Sequence, residues 1–124
     1  MSSEMDIDDA FGLLHNLIDT PYEDWHNFFN QKNILLLQEL AMDLFDEKVV
    51  PSINTYSDFT IIVEKLNEKE AYWSRFLGES LLKANKLKAQ GDFKNAILIL
   101  EDFISQCSSS SYREIAQIEK DNFS

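Results

Sequence analysis

The sequence predicts an all-α protein, built as a single-domain bundle of about six to seven helices over residues 1–124. Apolar side chains recur at helical spacing along most of the chain and make up 44% of it. The chain has only three Gly and two Pro, too few for the many tight turns of an all-β fold. Its length allows one core of ordinary size.

The first half of the chain predicts three helices. The first covers 6–18, where apolar residues follow the i, i+3, i+4, i+7 pattern and aspartates crowd the first turn. The second begins with Thr20 as its N-cap, and a proline follows at the first helical position. Glu23 completes a capping box with Thr20, and the helix ends near Asn30. The third covers 31–45 and is apolar on more than one face, which is typical of a central helix.

A break at Pro51 separates these helices from the next two segments. Residues 56–66 have the period of a helix, although the β-branched run 60–63 leaves a strand as the alternative. Residues 68–89 form the longest helical segment, and Gly78 within it indicates a close crossing with another helix.

The C-terminal part predicts a helical hairpin followed by a closing helix. Gly91 suits the position just after a helix end, and Asp92 suits the N-cap of the next helix, which covers 93–106. Four serines at 108–111 form a polar loop and supply the N-cap of a last helix over 112–121.

One motif in this hairpin resembles the helix-turn-helix core of a tetratricopeptide repeat. It reads Ala84-x-x-Leu87-x-x-x-Gly91-Asp92-Phe93-x-x-Ala96-Ile97 and occurs once. Serine near Ser108 stands where that repeat usually has its closing proline. Because a solenoid needs several stacked units, the resemblance implies a helical hairpin and not a peptide-binding superhelix.

Negative charge is concentrated in the first half of the chain. The net charge is −11, from 11 bases and 22 acids. Residues 1–47 hold eleven acids against Lys32 alone, which gives −10, and residues 48–124 contribute −1. Such a field repels nucleic acid and anionic membrane surfaces and attracts a basic protein. Surface solubility is the alternative explanation for the charge.

The sequence also predicts a cytoplasmic protein that does not enter a membrane. Cys107 is the only cysteine, so the fold does not rest on an internal disulfide. The N-terminus carries acids and no base, unlike a secretory signal. No stretch approaches the roughly 20 apolar residues of a membrane span.

Residue types that carry chemistry are sparse, so the sequence predicts no catalytic residue, no metal and no cofactor. Glu23 and His26 have the spacing of a di-iron helix, but His15 has Gly12 three residues before it, and the second motif is missing. Cys107 lies at a helix C-terminus, where the dipole disfavours a thiolate. Neither a phosphate-binding loop, an EF-hand nor a nucleophile elbow is present. We therefore expect a binding protein and not an enzyme.

Acidic and aromatic residues alternate in the first half, as they do in many protein interfaces. Tyr22 and Trp25 are about as consistent with the core as with an interface, whereas Phe28 or Phe29 fits the core better. Trp73 and Arg75 form a second candidate pair. The predicted partner-binding residues are Asp8, Asp9, Asp19, Tyr22, Glu23, Asp24, Trp25, Asp43, Asp46 and Glu47.

The C-terminal segments LKAQGDFKNAI (87–97), EDFI (101–104) and YREIA (112–116) resemble the small immunity proteins of bacterial polymorphic-toxin and contact-dependent growth inhibition systems. Such proteins bind a cognate toxin domain, often a basic nuclease, and block its active site or an exosite. The resemblance implies that the acidic half faces the toxin, with carboxylates in place of the phosphates of a nuclease substrate. The alternative is a helical adaptor, secretion chaperone or regulatory subunit that binds another protein.

Overall fold

A computed structural model describes residues 7–45 and 50–123 of the chain, and within them it contains helices and no strand. The predicted all-α fold is therefore confirmed, and the strand alternative for 60–63 is wrong. The helices are α1 (Ile7–Ile18), a 3-10 helix (Tyr22–Phe28), α2 (Gln31–Phe45), α3 (Tyr56–Ala89), α4 (Phe93–Gln106) and α5 (Ser110–Asn122).

The helices divide into two compact units, with the boundary between Lys69 and Glu70 inside α3. Unit 1 contains α1, the 3-10 helix, α2 and the first part of α3. Unit 2 contains the rest of α3 with α4 and α5. The single domain over 1–124 stays a prediction.

Unit 1 is organised by the packing of α1 on α2. α1 buries Ala10, Leu14 and Leu17, which follow the predicted helical stripe. α2 leaves Leu35 and Met42 exposed, so it carries more apolar surface than unit 1 buries. Its buried residues are Leu36, Leu37, Leu40, Ala41 and Leu44, and the first part of α3 adds Phe59, Val63 and Leu66.

The two predicted segments 56–66 and 68–89 are one continuous helix, α3, of 34 residues. The second segment begins with Glu68 and Lys69, which are good helix formers, and no Gly or Pro interrupts the chain at the junction. Most buried residues of α3 lie alternately four and three positions apart, and Glu70 stands where this spacing would place an apolar residue. The buried residues at that spacing are Phe59, Val63 and Leu66, then Trp73, Leu77, Ser80 and Ala84.

The turn between α3 and α4 confirms the predicted roles of Gly91 and Asp92. Gly91 has φ 81°, its N–H donates to the Lys88 carbonyl at 2.9 Å, and the Asp92 N–H donates to the Leu87 carbonyl at 2.8 Å. These two bonds form a Schellman motif. The Asp92 side chain then accepts the N–H of Asn95 at 3.3 Å and caps α4.

The predicted close helix crossing at Gly78 is wrong. Gly78 is exposed, and a Cβ built on it would meet nothing within 4 Å. The small residue therefore does not serve the approach of another helix.

Unit 2 has an apolar cluster and an aromatic cluster. In the aromatic cluster, the rings of Phe76 and Trp73 pack around the buried Phe103. Their centroids lie 4.9 Å and 6.3 Å, respectively, from that of Phe103. Ser109 is fully buried, and its side chain accepts the N–H of Tyr112 and caps α5, as the serine loop predicted. The apolar cluster contains Ala84, Ala96, Leu100 and Phe123, with Leu81, Leu87, Ile97 and Ile99 packed against it.

Candidate acidic interaction surface

The structure separates the predicted partner-binding residues into groups. Asp8 and Asp9 are exposed in the first turn of α1, and the helix rises about 15 Å from Asp8 to its last residue, Ile18. Asp43 is partly exposed on α2, whereas Asp46 and Glu47 lie outside the described residues. Beyond the C-terminus of α1 a compact group is exposed, here called the acidic corner: Asp19, Tyr22, Glu23 and Asp24.

The predicted capping box at Thr20 is wrong. The Thr20 hydroxyl donates to the Asn16 carbonyl at 2.7 Å, and the 3-10 helix starts after Pro21 with no side-chain cap. The last carbonyls of α1 lack helical donors, so a hydroxyl four residues further on bonds to one of them. The segment after Pro21 is a 3-10 helix, which ends at Phe28 and does not continue to Asn30.

Trp25 anchors the acidic corner to the end of α1. Its indole N–H donates to the Leu17 carbonyl at 2.7 Å and to the Thr20 carbonyl at 3.0 Å, and only 6% of the residue is exposed. The Leu17 carbonyl also accepts the backbone N–H of Thr20 at 3.0 Å, so the indole adds a side-chain donor to the turn that follows α1. Trp25 therefore belongs to the core of unit 1, and its principal effect on the surface is to hold the corner in place.

Tyr22 presents an exposed ring above this core. The residue is 58% exposed, and its ring meets Trp25 edge to face at 5.0 Å. Close by, the partly buried Tyr56 stacks with Phe59 and meets Phe29. Burial raises the pKa of the Tyr56 phenol above its ordinary value of 10.0, and repulsion from Tyr22 raises that pKa further. An exposed ring held by other rings is typical of an interface anchor.

The charges of the acidic corner are not explained by the stability of α1. Asp19 directly follows that helix, where the helix dipole is already negative. Glu23 and Asp24 lie in the first turn of the 3-10 helix, and no Lys or Arg precedes Lys32 in the sequence. Three carboxylates within six residues repel one another, and this repulsion would be relieved by a cationic partner.

The net charge follows the division into units. The sequence up to Lys69 holds fourteen acids and four bases, which gives −10, and the sequence from Glu70 holds eight acids and seven bases, which gives −1. The acidic corner therefore belongs to the unit that carries almost all of the excess charge.

A second surface feature is a cleft of about 220 Å³ in unit 2, lined by Tyr72, Arg75, Phe76, Glu79 and Gln106. Of the second pair predicted from the sequence, Arg75 lines the cleft and Trp73 is buried. Tyr72, Phe76 and Glu79 were not predicted from the sequence, although they share a helix face with Arg75 at i, i+3, i+4 and i+7. Gln106 belongs to another helix, so no spacing pattern could have identified it.

Groups that could carry other chemistry are few in the described residues. Within 7–45 and 50–123, no three His, Cys, Asp or Glu side chains are placed to hold a metal. The Nδ1 of His26 lies 2.8 Å from the backbone carbonyl of Glu23. The Cys107 thiol is buried and contacts the Ser109 carbonyl at 3.6 Å. None of the described helices combines the length and apolar character required to cross a membrane.

Comparison of the chain with protein-family models, with curated proteins and with solved structures finds no match.

Proposed function

We propose that this chain is a cytoplasmic immunity protein that binds and neutralises a cognate protein toxin, a basic nuclease domain, through the acidic surface of unit 1. The observation that carries the proposal is the acidic corner, where three exposed carboxylates lie within three residues of the exposed Tyr22 along the chain. The resemblance of the C-terminal segments to immunity proteins supports the same function. In this function the chain binds its partner and catalyses no reaction.

The proposed mechanism has a long-range part and a contact part. The charge of −10 in unit 1 steers a positively charged domain toward this surface and raises the association rate. On contact, the carboxylates of Asp19, Glu23 and Asp24 occupy positions that phosphates of a nucleic acid would take on the toxin. The ring of Tyr22 adds apolar contact area at the centre of the interface, where anchors contribute most.

A helical adaptor or regulatory subunit is the second candidate, and unit 2 favours it. That unit is almost neutral and has its own cleft with an exposed aromatic residue and an exposed guanidinium. A chain with two different surfaces could connect two proteins.

A tagged pull-down from the native organism, followed by mass spectrometry, tests which candidate applies. We expect one stoichiometric basic partner, a toxin domain, encoded directly upstream of the gene for this chain. An acidic partner, or no partner, would contradict the toxin proposal.

The contribution of the acidic corner is tested by a triple variant, Asp19→Lys, Glu23→Lys and Asp24→Lys. Association with the toxin domain should slow by at least about tenfold at low salt, because the steering charge is reversed at the contact. The matched control reverses three exposed acids elsewhere, Glu64, Glu68 and Glu114, and changes the net charge equally. Equal effects of the two triple variants would place the interface outside the corner.

A further inference from the structure

The outer face of α3 in unit 2 carries exposed cations that form no ion pair in the part of the chain that the structure describes. Arg75, Lys83 and Lys86 are exposed, and among the described residues no carboxylate lies within 4.0 Å of their charged groups. Their positions repeat at helical spacing on the face opposite the buried Leu77 and Ala84. Lysines in the last turn of α3 also complement its dipole, but that explanation does not apply to Arg75 or Lys83.

Apolar groups lie on the same outer face. Tyr72 is 54% exposed, and Leu82, at 67%, is the most exposed of the large hydrophobic residues described. Tyr72 and Phe76 also form the aromatic walls of the cleft described above. Its volume of about 220 Å³ is below the usual range for a small-molecule pocket, about 300–1,000 Å³, so it suits a single side chain of a partner.

We propose that this face is a docking site for an acidic amphipathic peptide segment of another protein. One apolar side chain of the segment enters the cleft beside Tyr72 and Phe76. Carboxylates elsewhere on the segment pair with Arg75 and Lys83. A helical segment fits best, because the anchor positions on α3 recur every three to four residues over about 21 Å.

The charge pattern favours a peptide over a nucleic acid. Glu79 lies between Arg75 and Lys83 on the same face, where it would repel a continuous row of phosphates. A peptide can place an uncharged residue opposite Glu79 and an apolar one opposite Leu82. The −10 of unit 1 also opposes a long polyanion more than it opposes a short peptide.

The test measures fluorescence anisotropy of a labelled helical peptide of about 15 residues, long enough for this face, with Leu and Phe on one side and Glu on the other. The full-length chain should bind it with a Kd that rises with salt. The double variant Arg75→Gln with Lys83→Gln should raise the Kd by about tenfold. Glu79→Gln should lower it about two- to fivefold, because one repulsive charge is removed.

The matched control is Lys32→Gln with Lys65→Gln, which removes two exposed bases from unit 1 and should leave the Kd unchanged. A control peptide with Lys in place of Glu should bind more weakly, and the double variant Arg75→Gln with Lys83→Gln should not weaken its binding further, because these cations repel it. The proposal is overturned by equal Kd values for the two double variants, by no binding up to about 1 mM, or by tighter binding of a single-stranded oligonucleotide. The partner here is acidic and the toxin is basic, so either proposal can fail without the other.

Discussion

At the end of α1, the single indole N–H of Trp25 is shared between two backbone carbonyls. Trp25 reaches back eight residues to Leu17 and five to Thr20, so the turn that carries the acidic corner is tied to the helix by a side chain. Both bonds are to backbone carbonyls, and the residue is almost fully buried. Loss of a hydrogen bond in this buried environment costs free energy.

Replacing Trp25 by Phe tests this role. The variant keeps an aromatic ring but loses the indole N–H, so we expect the free energy of unfolding to fall by about 1–3 kcal/mol. Urea unfolding followed by far-UV circular dichroism measures the change. Tyr22→Phe is the control, since it removes one exposed hydroxyl and should change stability by less than about 0.5 kcal/mol. Equal losses in the two variants would contradict the anchoring role.

The residues of the acidic corner could be predicted in part from the sequence. The carboxylates are exposed as expected, because charged side chains between apolar stripes remain in water. Tyr22, which the sequence left undecided between core and interface, is exposed as well. The position of Trp25 could not be decided, because a bond from a side chain to carbonyls five and eight residues earlier leaves no periodic pattern. The role of Thr20 was predicted wrongly for a related reason. Its hydroxyl can cap the following helix or bond to a carbonyl at the end of the preceding helix.

Among the helical elements, the α3–α4 hairpin follows most directly from the sequence. A left-handed residue is required at its turn, and Gly91 adopts φ 81° there at little steric cost. The adjacent Asp92 caps α4 with its side chain. Local chemistry determines this turn, which explains why the prediction was confirmed.

The two glycines of α3 and its turn should respond to alanine in opposite directions. Gly91→Ala places a Cβ at positive φ and should destabilise the fold by about 1–2 kcal/mol. Gly78→Ala lies inside the helix with open space around the new Cβ, and should stabilise the fold by about 0.5–1 kcal/mol. Thermal unfolding of both variants measures the signs. A loss of stability in Gly78→Ala would indicate a close approach that the geometry excludes.

The continuity of α3 was harder to predict than its ends. The apolar stripe is interrupted at Glu70, and a sequence pattern interrupted by polar residues is typical of two helices. In the structure Glu70 accepts a hydrogen bond from the Tyr112 hydroxyl at 2.9 Å, a contact with a residue 42 positions later. Such long-range partners are not encoded in the spacing of neighbouring residues.

Considered as a whole molecule, the chain has one unit with most of the excess charge and one that is nearly neutral. The sequence predicted this division of charge, and the structural boundary at Lys69 and Glu70 leaves it unchanged at −10 and −1. Uncompensated like charge opposes compaction, so unit 1 should be the part whose stability depends on ionic strength.

Salt should therefore stabilise the protein. Raising the ionic strength from about 0.01 M to about 0.1 M shortens the Debye length from about 30 to about 10 Å, and we expect Tm to rise by a few degrees. The triple Lys variant of the acidic corner, which reduces the charge of unit 1 from −10 to −4, should show a smaller rise. A Tm that does not change with salt would mean that solvent already screens the repulsion.

The sequence contains two tryptophans, and the structure places Trp25 in unit 1 and Trp73 in unit 2. Both are nearly buried, at 6% and 5% exposure, so each indole changes its surroundings when its own unit opens. Variants that retain one indole each would give an emission signal from a single unit. Coincident unfolding curves would indicate one cooperative domain over 1–124, and separate curves would indicate two. The chain thus contains an intrinsic fluorophore for each of its halves.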